Sequence, residues 1–221
     1  MSDEATDFLY PMVDGTTETD VDALLEDLAA SARGKAGHST QLTDTTLDAL
    51  DGQLDVLAEA MAERFLRGGR LLTCGNGGSA TDAEGVAELF AVPPGDARRL
   101  AARSLVADVS VLTALANDIG FEAVFSRQVI AHAREQDMVM GFSTSGNSAN
   151  VIAAFERGSQ AGLLTIGLAG YDGGAMATCD ALEHCLVVSA DSVHRIQEAQ
   201  SATAHELWRR IQQRLDAADA A

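Results

Sequence analysis

Short apolar segments alternate with helical patterns from Arg70 onward, and this alternation constrains the fold more than any other feature of the chain. The strand candidates are 70–74, 103–107, 138–142, 163–168 and 184–189. The helical patterns that follow them are 79–90, 109–116, 121–133, 147–161 and 193–216. Strands that alternate with helices form a parallel sheet, and parallel strands covered on both faces are apolar nearly throughout. The sequence therefore predicts an α/β fold with a parallel sheet between two layers of helices.

The segment ahead of the alternation predicts a tail followed by helices. Residues 1–19 are acidic and rich in Thr, which favours a flexible tail. Their short apolar segment, Phe8–Tyr10, leaves open the alternative that it packs on a partner subunit. A first helix is predicted over 20–32. We predict that residues 20–221 form a single domain.

A second helix is predicted before the first strand. Its apolar stripe follows three- and four-residue steps through Leu47, Leu50, Leu54, Leu57, Met61 and Phe65. These steps are the period of one helix face. Thr43 or Asp44 is a suitable N-cap, and Gly68-Gly69 ends the pattern. The stripe must be buried against the sheet or against another copy of the chain.

Two loops rich in Gly, Ser and Asn follow strand candidates. The first loop is Gly75–Ser79 (GNGGS), and the second loop is Ser143–Ser148 (STSGNS). Both lead into helices, so each presents backbone N–H groups, hydroxyls and a helix N-terminus to a bound anion. Neither is a Walker loop or a GxGxxG motif, which disfavours a nucleotide. The pair predicts a pocket for a phosphorylated small molecule at the carboxyl ends of the strands.

Several other motifs have a structural as well as a functional interpretation. Gly170–Gly174 favours a simple turn, and Asn117-Asp118 before Gly120 is typical of a helix C-cap. His205 on the last helix is compatible with a structural role. Gln197 lies eight residues earlier, about 80° around the helix, so both side chains can face one cleft.

The formal net charge of −18 argues against nucleic acid or an anionic membrane as a partner. Any phosphate site must therefore be built locally from backbone dipoles and hydroxyls. The three cysteines form no CxxC spacing, and neither a secretory signal nor a long apolar segment is evident. We expect reduced thiols in a cytoplasmic protein.

Five motifs, taken together and in this order, resemble those of the sugar isomerase (SIS) domain family. They are GNGGS, ANDxGxExxFxRQV from Ala116 to Val129, STSGNS, GxDGG and RIQE. The pattern is most similar to the phosphoheptose isomerase branch, and it covers roughly residues 45–212. The resemblance implies a three-layer sandwich around a five-stranded parallel sheet, preceded by N-terminal helices. It also implies self-association as a homotetramer or homodimer, with active sites at subunit interfaces.

The resemblance further implies a phosphorylated sugar as ligand. Its expected contacts, all matched by residue type, are Asn76, Gly77, Gly78, Ser79, Asn117, Asp118, Ser143, Thr144, Ser145, Ser148 and Gln197. The family reaction moves a proton between C1 and C2 through an enediol. That reaction needs a carboxylate base near the carbons and a second acid/base, for which His205 matches the family's histidine.

The chain departs from the family on the helix after the first loop. Ungapped alignment, which we favour, places Gly85 at the family's metal-binding His and Leu89 at its catalytic Glu. A one-residue slip would place Glu84 and Glu88 there instead. Glu88 is therefore the candidate catalytic carboxylate, together with His205. Zinc is a possible cofactor at Gln197 and His205, although two side chains are fewer than the three that catalytic zinc usually has.

Two functions follow from these residues. The first is an aldose–ketose isomerase acting on sedoheptulose 7-phosphate or a similar phosphosugar. The alternative is a non-catalytic SIS homotetramer that acts as a phosphosugar sensor or a protein-binding adaptor, which Leu89 and Gly85 favour.

Overall fold

The computed structural model describes residues 21–220, which form two units that divide between Thr40 and Gln41. In the first unit, residues 21–40 are helical, and Leu24, Leu25 and Leu28 are exposed. The second unit contains the sheet. Within the described part of the chain, no helix is both long enough and apolar enough to cross a membrane. The predicted tail at 1–19 lies outside the described residues.

Helix α1 spans Val21–Leu66 without interruption. The prediction of two separate helices, one over 20–32 and one from Thr43 or Asp44, is therefore wrong, because a single helix covers both ranges. No proline occurs in the helix, and glycine weakens a helix without stopping it. The predicted end is confirmed: Gly68 has a φ of 82°, and the Gly69 N–H donates to the Arg64 carbonyl oxygen across 2.9 Å.

The five predicted strands form one fully parallel sheet. They are β1 (Leu71–Gly75), β2 (Ala102–Ser104), β3 (Met138–Ser143), β4 (Leu164–Gly170) and β5 (His184–Val188). Their spatial order is β2-β1-β3-β4-β5. From β1 the chain first adds β2 on one side and then β3 on the other. The gap between β1 and β3 is thus the topological switch point, where α/β sheets bind ligands.

The remaining helices follow the predicted order. They are α2 (Gly78–Ala91), α3 (Val109–Asp118), α4 (Val124–His132), α5 (Ala149–Gln160) and α6 (Val193–Asp219). The predicted helix over 121–133 begins instead as a short 3₁₀ helix, Phe121–Ala123, and a second 3₁₀ helix covers Gly174–Thr178. The strand predicted over 103–107 ends at Ser104.

Two buried clusters lie on opposite faces of the sheet and confirm the three layers. Leu54 of α1, Phe90 of α2 and Leu207 of α6 pack on one face. Phe125 of α4 and Phe155 of α5 pack on the other. Adjacent strand residues alternate between the two clusters, as the pleat requires. The predicted helical stripe of α1 therefore packs in the first cluster: Leu50, Leu54, Leu57 and Met61 are buried, and Leu47 and Phe65 are partly buried.

Charged side chains join α6 to α1 outside the first cluster. Arg210 pairs with Asp51 at 2.6 Å and with Asp55 at 3.0 Å, and Arg214 pairs with Glu59 at 2.9 Å. All three carboxylates are exposed, so each ion pair contributes little to stability. The shared network nevertheless fixes how α6 lies along α1. This register determines where the first turns of α6 meet the carboxyl end of the sheet.

Candidate functional site

The first loop is shaped by glycine. Gly75 ends β1, and a Cβ there would overlap the Ser79 carbonyl oxygen. Gly77 has a φ of 57°, a conformation that suits glycine, and it precedes the first residue of α2. The Ser79 N–H donates to the Asn76 carbonyl oxygen across 3.0 Å. The loop therefore turns sharply at the helix N-terminus and leaves Gly77 and Gly78 exposed.

The second loop lies at the end of β3, next to β1 in the sheet. Ser143 and Ser148 share a hydrogen bond between their hydroxyl oxygens at 2.9 Å. The Asn147 N–H donates to Ser145 Oγ across 3.2 Å. Thr144 is half-buried and Ser145 is exposed. Ser148 is the residue that precedes α5, so these hydroxyls surround the N-terminus of a twelve-residue helix.

A reciprocal amide pair joins the two loops. Asn76 Nδ2 donates to Asn150 Oδ1 across 2.8 Å, and Asn150 Nδ2 donates to Asn76 Oδ1 across 2.9 Å. Asn76 belongs to the first loop, and buried Asn150 lies in the first turn of α5. The pair holds the two helix N-termini side by side over the switch point.

The third loop, Gly170–Gly174, packs closely against the backbone of the second loop. A Cβ on Gly146 would overlap the Gly173 carbonyl oxygen, and one on Gly170 would overlap the Thr144 carbonyl oxygen. The Ala175 N–H donates to Asn147 Oδ1 across 2.9 Å. The third loop therefore does more than turn the chain: its backbone fixes the shape of the second loop.

The last helix contacts the first loop through Gln197. Its side-chain amide lies where a Cβ on Gly78 would be, and Nε2 donates to Asp82 Oδ2 across 3.0 Å. Burial raises the pKa of the Asp82 carboxyl above its usual range, and the hydrogen bond from Gln197 partly opposes that shift. A half-buried carboxylate with a raised pKa is suited to accept and return a proton.

A cavity of about 280 Å³ borders the other side of the first loop. Asn76 and Gly77 line it together with Glu84 of α2 and two aromatic side chains, Phe121 and Phe125. Glu84 is exposed, and Phe121 is 61% exposed. The cavity therefore combines loop amides, one carboxylate and an apolar wall.

The SIS domain family model matches residues 36–170, which is more than half of the chain. The chain belongs to the SIS domain family. This confirms the family that the five motifs indicate. The matched residues include the first and second loops and the strands that carry them.

Two curated relatives of this SIS chain are phosphoheptose isomerases. The protein of Roseiflexus sp. is 41% identical over 182 residues, which are 76% of this chain and 91% of the relative. The protein of Campylobacter jejuni is 44% identical over 160 residues, 72% of this chain and 84% of the relative.

Solved phosphoheptose isomerase structures share the fold. The structure from Neisseria gonorrhoeae has a TM-score of 0.74 and 36% identity, and the match covers 85% of this chain and 98% of that one. The structure from Francisella tularensis has a TM-score of 0.78 and 30% identity, with 84% and 98% covered. The predicted α/β SIS fold is therefore confirmed.

The remaining predicted site residues of this SIS chain lie at the end of α3 and in the middle of α6. Asn117 and Asp118 are exposed at the end of α3, where Asn117 Nδ2 donates to Asp118 Oδ1 across 2.8 Å. His205 is exposed, with Nδ1 at 3.3 Å from the Ser201 carbonyl oxygen. No hydrogen bond among the described residues joins His205 to either loop, so its catalytic role stays a prediction.

The two positions that differ from the family, Gly85 and Leu89, lie one turn apart on α2, about 40° around the helix. Leu89 is half-buried, while Gly85 and Glu88 are exposed. Asp82 precedes Leu89 by seven residues and lies within about 20° of it around the helix. Glu88, in contrast, is about 120° from Asp82 around the helix. The carboxylate on the face of Leu89 is thus that of Asp82, whereas the role predicted for Glu88 stays a prediction.

The fit of zinc to the predicted ligands is poor. Among residues 21–220, no three His, Cys, Asp or Glu side chains cluster in a way that could hold a metal ion. Gln197 already donates its amide to Asp82. Gln197 and His205 alone fall short of the three protein ligands of a catalytic zinc site.

Sequence reasoning missed two residues of the site, Asn150 and Asp82. Asn150 directly follows the second loop, and a buried Asn in the first turn of a helix is a signal that a polar partner lies nearby. Asp82 lies three residues beyond the first loop. Only its place on the helix face of Leu89 could have indicated it.

Proposed function

We propose that the protein is an aldose–ketose isomerase that acts on sedoheptulose 7-phosphate or a similar phosphosugar. The observation that carries this proposal is the Asn76–Asn150 pair, which joins two loops suited to an anion over the switch point of a SIS fold. The names of relatives more than 40% identical over most of the chain support the substrate class.

The sugar phosphate would bind at the second loop. Ser143, Ser145 and Ser148 offer hydroxyls around the N-terminus of α5, where the helix dipole favours an anion. This arrangement suits a protein of net charge −18, because the attraction is local and needs no basic side chain. The first loop and Gln197 would hold the sugar hydroxyls beside it.

The reaction needs one carboxylate and one further acid/base group. The carboxylate removes a proton from C1 of the ketose while O2 gains one, which gives the enediol. The carboxylate then returns its proton to C2 while O1 loses one, which gives the aldose. We assign the carbon proton to Asp82, because its carboxyl has a raised pKa and is held by Gln197 at the first loop. The oxygen protons are assigned to His205, as the family resemblance implies.

The reaction is tested by incubating the pure protein with sedoheptulose 7-phosphate and following formation of the aldose heptose 7-phosphate. The assay is run with and without added zinc. Conversion at a rate above that of buffer supports the isomerase. Absence of conversion under both conditions rejects it for this substrate.

Binding is tested separately by calorimetry. Replacing both Ser143 and Ser145 with alanine removes two hydroxyls from the second loop, and it should weaken sedoheptulose 7-phosphate binding by roughly 1–3 kcal/mol. Ser159→Ala, at an exposed site late in α5, is the matched control. Equal affinity of the double variant and the wild type would reject this phosphate site.

A non-catalytic sensor or adaptor is the second candidate. It is favoured by Leu89, which stands where ungapped alignment expects the family's catalytic Glu, and by exposed Gly85. This function predicts phosphosugar binding without turnover. Calorimetric binding combined with no conversion would select it over the isomerase.

We also propose that the protein assembles as a homotetramer or homodimer, as the family resemblance implies. Three exposed apolar side chains support an interface near the candidate site: Val109 and Ile119 at the two ends of α3, and Phe121 beside the cavity. Sedimentation equilibrium measures the mass of the particle. A monomer at micromolar concentration would reject the proposal.

A further inference from the structure

A second cavity lies at the opposite edge of the sheet from the two loops. It has a volume of about 310 Å³ and lies where β1 and β2 begin, between the end of α2 and the end of α4. Its basic side chains are Arg70, Arg99, Arg103 and His132. None of them belongs to the candidate site, and a cationic cavity is unexpected in a chain of net charge −18.

One of these cations is already neutralised. Arg70 donates to both carboxylate oxygens of buried Asp137, with Nε 3.2 Å from Oδ1 and Nη2 2.6 Å from Oδ2. This pairing raises the pKa of Arg70. The guanidinium is therefore held in place as a wall of the cavity, and its charge is balanced.

The other two guanidinium groups are available to a ligand. Arg99 and Arg103 are exposed, and within residues 21–220 their side chains form no ion pair or hydrogen bond. Arg98, their neighbour, pairs with Asp219 at 3.1 Å. A cleft with charges of one sign and walls of low dielectric concentrates the potential felt by an anion. Arg99 and Arg103 give the cavity such a positive potential.

The floor of the cavity is apolar. Leu72 is buried there on the sheet face that α4 covers, and Ala91, Ala101 and Ala102 add short side chains to the lining. Arg103 is the register partner of Leu72 on the edge strand, so the two residues lie side by side on the sheet. Inorganic phosphate alone would leave this floor without a partner. A ligand with an anionic group and a planar or apolar body would use both parts.

We propose that this cavity binds a small organic phosphate of nucleoside monophosphate size. Its phosphate would pair with Arg99 and Arg103, since guanidinium groups bind phosphate through two parallel hydrogen bonds. Its planar body would lie over Leu72 and the alanine side chains of the lining. The cavity volume is at the lower end of the range for small-molecule sites, roughly 300–1,000 Å³.

Calorimetric titration of the full chain with adenosine monophosphate tests the site. We expect binding that is at least tenfold weaker in the variant with both Arg99→Gln and Arg103→Gln. Arg127→Gln removes one exposed charge from α4 outside the cavity and should bind as the wild type does. Adenosine and inorganic phosphate, titrated separately, should each bind at least tenfold more weakly than the nucleotide.

Two further variants test whether the nucleotide binds in this cavity or at the two loops. Ala101→Phe adds an aromatic ring at an exposed position that lines the cavity, retains both arginines and should also weaken binding. The Ser143→Ala and Ser145→Ala double variant should bind the nucleotide as the wild type does. Loss of binding only in that serine variant would overturn the proposal and assign the nucleotide to the candidate phosphosugar site. Absence of nucleotide binding to the wild type would also overturn it.

The test is independent of isomerase activity. If sedoheptulose 7-phosphate is not converted, nucleotide binding at Arg99 and Arg103 can still be measured. If the arginine variant binds the nucleotide normally, the assignment of the two loops to a phosphosugar is unaffected.

Discussion

Gln197 donates its side-chain amide to Asp82 across 3.0 Å and thereby joins the last helix to the helix that follows the first loop. The contact is possible because Gly78 has no side chain, as a Cβ there would overlap the Gln197 amide. The half-buried Asp82 carboxyl is thus held beside the loop that we assign to the sugar.

Asp82→Asn tests whether this carboxylate moves the carbon proton. The substitution keeps the size and a hydrogen-bonding group but removes the base, so we expect kcat to fall by roughly 10²–10⁴-fold. Glu88→Gln, on a different face of α2, is the matched control and should retain activity close to that of the wild type. The reverse pattern would assign the base to Glu88. Circular dichroism checks that both variants are folded.

The pH profile separates a base from a structural carboxylate. The hydrogen bond from Gln197 lowers the pKa of Asp82, while burial raises it. Gln197→Met keeps the bulk and removes the donor, so the pKa of Asp82 should rise. A base acts only when deprotonated, so the acidic limb of kcat/KM should move to higher pH. An unchanged limb with a lower kcat would mean that Asp82 does not titrate in the reaction.

Two glycines of α2, Gly78 and Gly85, test whether Gln197 packs on the first loop. In Gly78→Ala, the new methyl group would displace Gln197, and we expect weaker phosphosugar binding and lower activity. In Gly85→Ala, nothing lies within 4 Å of the new Cβ, and alanine in a helix should stabilise the fold by roughly 0.5–1 kcal/mol. Urea unfolding and calorimetry measure the two effects. A stabilised Gly78→Ala variant with normal binding would contradict the packing of Gln197 on the first loop.

The sequence was sufficient to predict the layers, the parallel sheet and both loops, because short apolar segments ending in glycine or serine have few alternative structures. It could not predict that α1 is continuous, since Gly34 and Gly37 weaken a helix without stopping it. Nor could it pair Asn76 with Asn150, because 74 residues separate them and only the β1–β3 pairing brings them together.

The Asn76–Asn150 pair should determine how the two loops bind one ligand. In Asn150→Ala, the Asn76 side chain loses both of its hydrogen bonds in a site that is partly shielded from water, and we expect a loss of about 1–3 kcal/mol in unfolding free energy. Phosphosugar affinity should fall as well, because the first loop is no longer held beside the second. Asn147→Ala is the comparison: it removes the hydrogen bonds of the Asn147 side chain to the Ser145 carbonyl oxygen and the Ala175 N–H but leaves the first loop in place. Urea unfolding and calorimetry of both variants, together with the double variant Asn76→Ala and Asn150→Ala, give the coupling energy. Additive effects of Asn76→Ala and Asn150→Ala would mean that the pair does not join the loops in solution.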